Sequence, residues 1–137
     1  MTDNEPELDP INVVLCDEVR REETKKEILI GVYSGDILIP SLPAIISLTL
    51  WVHCKTHGRG RTKREVRIIS SDGEVLSSGT YSTNIEGADE GYMSAVLGKI
   101  SFQIQKTGTI KFQWRKHQQR WRTLLSKNIL ESGIKKL

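Results

Sequence analysis

The residue types able to hold a metal ion come close together at His53, Cys54 and His57. A closed zinc site needs four nitrogen or sulfur ligands. The remaining candidates, Cys16 and His117, lie far off along the chain. Successive residues of a strand point to opposite faces, so His53 and Cys54 would not reach one ion without a bulge. The trio therefore reads as a core thiol at Cys54 with surface imidazoles at His53 and His57. No metal and no cofactor are expected.

Carboxylates able to trade protons cluster at Asp17, Glu18, Glu22 and Glu23, but Arg20, Arg21, Lys25 and Lys26 alternate with them. That mixture predicts a solvated ion-pair segment, with Asp17 and Arg20 free to pair and fix a turn. Serines are plentiful, yet no Gly-x-Ser-x-Gly elbow occurs and no histidine stands in a nucleophile context. Gly58-Arg59-Gly60-Arg61 lacks the spacing and the Lys-Ser/Thr ending of a phosphate-binding loop. These readings point away from an enzyme.

The remaining chemistry is electrostatic. The chain has 137 residues and a net charge of +3, unevenly spread. Residues 1–27 sum to −5, residues 28–98 to −1 and residues 99–137 to +9. Lys111, Arg115, Arg120 and Arg122 fall on the polar faces of neighbouring predicted strands, with Lys116 and His117 at the turn between them. Arg59, Arg61, Lys63 and Arg64 form a second basic group on a predicted exposed loop. Such a face could neutralise phosphates of a nucleic acid or another polyanion. It could equally dock an acidic protein, keep the sheet soluble and unpaired at its edges, or attract the chain's own acidic end. Stacking on bases needs exposed aromatics, and here Trp114 and Trp121 read as core-facing, with Trp51 outside.

The elements that must position these groups are strands. Ile46, Leu48, Leu50, Val52 and Cys54 alternate with Ser47, Thr49, Trp51 and His53, the period of a half-buried strand. Ile100, Phe102 and Ile104 repeat it, as do Ile110, Phe112 and Trp114, and a third segment alternates through Trp121, Thr123 and Leu125. Ile11–Cys16, Glu27–Tyr33 and Ile37–Ile39 add strand composition. Pro40 and Pro43 suit an edge segment, and Ser71-Asp72-Gly73 is a hairpin turn between Arg64–Ser70 and Glu74–Ser77. Asp17–Lys26 reads as a connection with room for a helical turn, and Lys55–Lys63 as an exposed loop. Ser78–Gly98, with four glycines and little periodicity, reads as a long loop holding one short helix near Tyr92–Leu97.

Two stretches resemble the opening signature of a widespread family of uncharacterised bacterial domains: Val14-Leu15-Cys16-Asp17-Glu18-Val19-Arg20 and Leu29-Ile30-Gly31-Val32-Tyr33-Ser34-Gly35-Asp36-Ile37. The prolines at 40 and 43 and Asp72-Gly73 hold the matching later places. The resemblance implies a compact β-sandwich standing alone in bacteria or their phages, and brings no activity with it.

The expected molecule is therefore all-β: an antiparallel two-sheet sandwich of immunoglobulin-like architecture with seven or eight strands. Residues 1–10 would be a flexible acidic tail and 11–137 one domain, of ordinary size for a single core. The acidic start lacks the features of a secretory signal, and two cysteines read as reduced thiols, so a cytoplasmic location is predicted. Leu38–Val52 is too short and too interrupted to cross a bilayer, which needs about 20 apolar residues, and no membrane partner is expected. The expected function is a non-enzymatic interaction module, binding a protein partner or a second copy of itself. Nucleic-acid binding by Lys111, Arg115, Lys116, Arg120 and Arg122 is the alternative. A small hydrolase, or a ligand cavity between the sheets, lidded in either case by the Gly79–Gly98 loop, is a third reading.

Overall fold

A computed structural model describes residues 5–87 and 90–132. Within them the chain forms nine strands: β1 (Glu7–Arg21), β2 (Glu27–Val32), β3 (Ile37–Ile39), β4 (Ala44–His57), β5 (Gly60–Ser70), β6 (Val75–Ile85), β7 (Glu90–Ile104), β8 (Gly108–Arg115) and β9 (Arg122–Glu131). Residues 1–4 of the expected tail lie outside the described residues. Strand β1 begins at Glu7, four residues before the predicted start, and pairs with β4 from Glu7 opposite His57 onward. Among the described residues no helix is long and apolar enough to cross a membrane.

The strands form two sheets, in the orders β2-β1-β4-β7 and β3-β9-β8-β5-β6. Period-two burial explains why. Ile46, Leu48, Leu50, Val52 and Cys54 of β4, Phe102 and Ile104 of β7, and Ile110, Phe112 and Trp114 of β8 all face one shared core. Leu15 of β1 joins from the first sheet, and Ile37, Ile68 and Ile129 join from the second. Neither sheet could cover its own apolar face, so stacking the two removes both faces from water at once.

The structure departs from the sequence expectations in several places. There are nine strands rather than seven or eight, and no helix occurs among the described residues. The described residues of the predicted loop Ser78–Gly98 are for the most part strand, the end of β6 up to Ile85 and the start of β7 from Glu90, and residues 88 and 89 lie outside the described residues. The inward positions on β6 are Ser77, Gly79, Tyr81, Thr83 and Ile85, and the serine, glycine and threonine among them break the hydrophobic period. The sheets are not wholly antiparallel, because β3 runs parallel to β9. The predicted loop Lys55–Lys63 is the end of β4, a turn at Gly58 and Arg59, and the start of β5. Likewise Asp17–Arg21 continues β1 and pairs with β2, so the turn itself is only Glu22–Lys26. There the Lys25 N–H donates to the Glu22 carbonyl at 2.8 Å.

One predicted polar position is covered although it keeps its place in the alternation. The pairing of β4 with β7 slips between Leu48 and Leu50, setting Gly98 and Lys99 of β7 against Thr49 alone, while on the other side Thr49 stands opposite Cys16 of β1. Thr49 is buried, and its hydroxyl donates to the Asp17 carbonyl at 3.3 Å. Asp17 does not pair with Arg20, which instead lies 3.6 Å from Glu18. Its carboxylate accepts from the Tyr33 hydroxyl at 3.1 Å, and the Tyr33 N–H reaches back to the Leu15 carbonyl at 2.8 Å. Gly31 stands between them at φ +69°, the left-handed region that glycine adopts without a Cβ clash.

A Cβ at position 31 would sit 2.2 Å from Asp17 Oδ2. Gly31→Ala should therefore lose about 2–3 kcal/mol, from left-handed backbone strain and the displaced carboxylate together. Urea unfolding measures it, and the loss should shrink when Asp17→Ala is combined with Gly31→Ala.

Candidate functional site

The residues weighed as metal ligands are dispersed. His53 lies on the outer face of the first sheet, stacked between Trp51 and Tyr92 with ring centroids 5.6 and 5.8 Å away. Cys54 and Cys16 are buried free thiols, Cys54 within the core between the sheets and Cys16 on the other face of β1, opposite Thr49. His57 pairs with Glu90 at 3.4 Å, and His117 sits 3.9 Å from Glu65. Among the described residues no three such side chains converge on one point. Burial pushes the Cys54 thiol from 9.0 up to about 11, and raises Cys16 as well.

The same outer face carries a carboxylate held from three sides. Glu27, at the start of β2, accepts from the Trp51 indole at 3.1 Å, from Ser94, and from Arg21 at 3.0 Å. Burial alone would raise its pKa, but these donors outweigh burial and hold it below the usual carboxylate value. Glu27 thus pins the β1–β2 turn across β4 and β7.

The basic residues also find specific partners. Arg115 bonds Glu65 at 3.1 Å, Lys116 pairs with Glu7, and Arg122 lies 3.6 Å from Asp9. The attraction between the oppositely charged ends of the chain is thereby met inside the molecule. Lys111 and Arg120 remain exposed. Arg64, expected on an exposed loop, is buried: it donates to Thr62 at 2.7 Å and to the Lys63 carbonyl at 2.8 Å, beside the Trp114 ring. Trp121, expected in the core, instead carries the guanidiniums of Arg67 and Arg115, 4.1 and 4.3 Å from its ring. Trp114 is in the core and Trp51 is outside it.

A cleft with an apolar floor lies elsewhere. Strands β6 and β7 follow one another in the chain but occupy the free edges of different sheets. Between their parted arms runs a cleft of about 390 Å³. Its floor is apolar, formed by Leu50, Val66, Ile68, Leu97 and Phe112. Its β6 wall is Ser77 to Ser82, and its β7 wall is Val96 to Ile100. Gly79 pairs with Val66 and so faces inward, where an added Cβ would meet no atom within 4 Å. The cleft exists because β6 turns small side chains toward the core. Among the described residues β6 pairs with β5 alone and β7 with β4 alone, which leaves a row of main-chain donors and acceptors along each wall. Hydrophobic periodicity could not find these residues. The usable signal was the count of alternate positions running on from the Asp72-Gly73 turn.

Two outcomes follow from these contacts. In the folded protein neither thiol should react with a disulfide reagent at neutral pH, and Cys54 should hold about a hundredfold less thiolate than an ordinary cysteine. Because its folded-state pKa lies above the ordinary value, the stability from burying the neutral thiol persists below about pH 9 and is lost as pH rises toward 11. Thiol titration with and without denaturant, and urea unfolding across that range, check both. Separately, Glu7→Gln with Asp9→Asn removes two carboxylates that face Lys116 and Arg122 and should make the protein elute from heparin at higher salt. Unfolding stability should fall by about 1–2 kcal/mol, little of it from the exposed Asp9–Arg122 pair and more from Lys116, whose side chain is largely covered. Compared with known proteins, the chain matches no protein-family model and no curated protein.

Proposed function

We propose that the chain is a non-enzymatic interaction module of immunoglobulin-like sandwich form, which docks an extended segment of a partner polypeptide between β6 and β7. The observation that carries this reading is the cleft of about 390 Å³ flanked by two open sheet edges. Strand addition to such an edge supplies affinity through main-chain hydrogen bonds, and side-chain pockets supply specificity. The wall from Ser77 to Ser82 spans about 20 Å at roughly 3.3 Å per residue, room for a segment of about six residues.

Polyanion binding by the face of Lys111, Arg115, Lys116, Arg120 and Arg122 is the second reading. It draws on the exposure of Lys111 and Arg120 and on the cationic surround of Trp121. It is the weaker of the two, because Arg115, Lys116 and Arg122 already face acids of the same chain.

Gly79→Leu tests the docking reading. The new side chain enters open space, so the variant should fold and gain up to about 1 kcal/mol from the stiffer unfolded chain and the filled gap. Peptides selected from a phage-displayed random library on the unaltered protein should bind Gly79→Leu at least about tenfold more weakly, a difference of about 1.4 kcal/mol. Unchanged affinity for the variant would sink the reading.

A further inference from the structure

The geometry points to the chemistry of the docked segment: apolar side chains turned inward alternating with carboxylates turned outward. This deepens the strand-docking reading above and rests on it. A strand added along β6 must present successive side chains to opposite faces. The inward set meets the gap beside Gly79, over Leu50, Leu97 and Phe112, where only apolar groups escape an unmet desolvation cost. The outward set meets cations. Lys99, exposed on the β7 wall, lines the cleft, as does Arg67. The Arg67 guanidinium is already oriented, its Nε donating to Gln113 at 2.8 Å and its plane lying against Trp121. Lys63 extends the same outer row of β5, opposite Ser82. Among the described residues lining the cleft there is no carboxylate. Glu65, between Lys63 and Arg67 on that row, is engaged by Arg115 at 3.1 Å. An incoming acidic segment is therefore met by complementary charge, and a basic one is repelled.

The experiment is the library selection carried through to sequence. Peptides enriched on the unaltered protein should carry Asp or Glu at alternate positions, with Val, Ile, Leu or Phe between them. Synthetic versions with every Glu→Gln should bind about tenfold more weakly, chiefly through slower association. The acidic peptides should lose a similar factor on Lys99→Glu, a variant whose unfolding midpoint is measured alongside, and their affinity should fall as salt rises. Neutral versions that bind equally well, or enriched peptides with Lys or Arg in the outward places, overturn the acidic assignment and leave strand docking standing. Enrichment no greater on the unaltered protein than on Gly79→Leu overturns strand docking itself, and the acidic assignment with it.

Discussion

The structure depends on one apolar layer that neither sheet can cover alone. Leu50 and Val52 of β4 and Phe112 of β8 are almost completely removed from water. Each of the two opposing faces is the other's only means of leaving solvent. Closing that layer dictates the chain's route, because the connections β2–β3, β3–β4, β4–β5, β6–β7 and β7–β8 each carry it from one sheet to the other. The repeated crossing brings strands distant in sequence side by side, as when β1 pairs with β4 and β5 with β8.

Charge follows the same economy at lower energy. The acidic N-terminal segment and the basic C-terminal third are set against each other where β1 runs past β9 and the turn after β8, through Glu7 with Lys116 and Asp9 with Arg122. Individually such pairs contribute little in water. Together they fix which way the surface charge points, and they take up cations that a reading of composition alone assigns to a foreign polyanion. Arg64 is the limiting case. Its head is satisfied by Thr62 and the Lys63 carbonyl while its plane lies near Trp114, so a buried cation is held with its donors met.

The same layer leaves a gap along one flank. Wherever β6 turns Ser77 or Gly79 inward, the opposing floor has no partner, and β6 and β7 part instead of pairing. Two sheet edges and an apolar floor then meet in one groove. Edges of this kind are exposed to pairing with other chains unless something limits it. Here the hydroxyl-rich outer row of β6, Ser78, Thr80 and Ser82, keeps that edge polar.

Strand identity was legible wherever one face is strongly apolar. The alternations of β4, β7 after Lys99, and β8 are buried as the residues alone predict, because period two on a half-covered sheet leaves a direct mark on residue type. The Asp72-Gly73 turn was legible for a related reason, since Gly73 adopts φ +90° and few residues tolerate that. What the tertiary structure alone decided is everything that depends on which strands become neighbours. The burial of Arg64 and Thr49, the guanidiniums on Trp121, the pairing of Lys116 and Arg122 with Glu7 and Asp9, and the cleft between β6 and β7 all arise from contacts between segments far apart in the chain. A residue's own type records the face it prefers, water or apolar core. It does not record which distant strand will supply that face, and the groove belongs to positions whose small side chains leave no periodic trace.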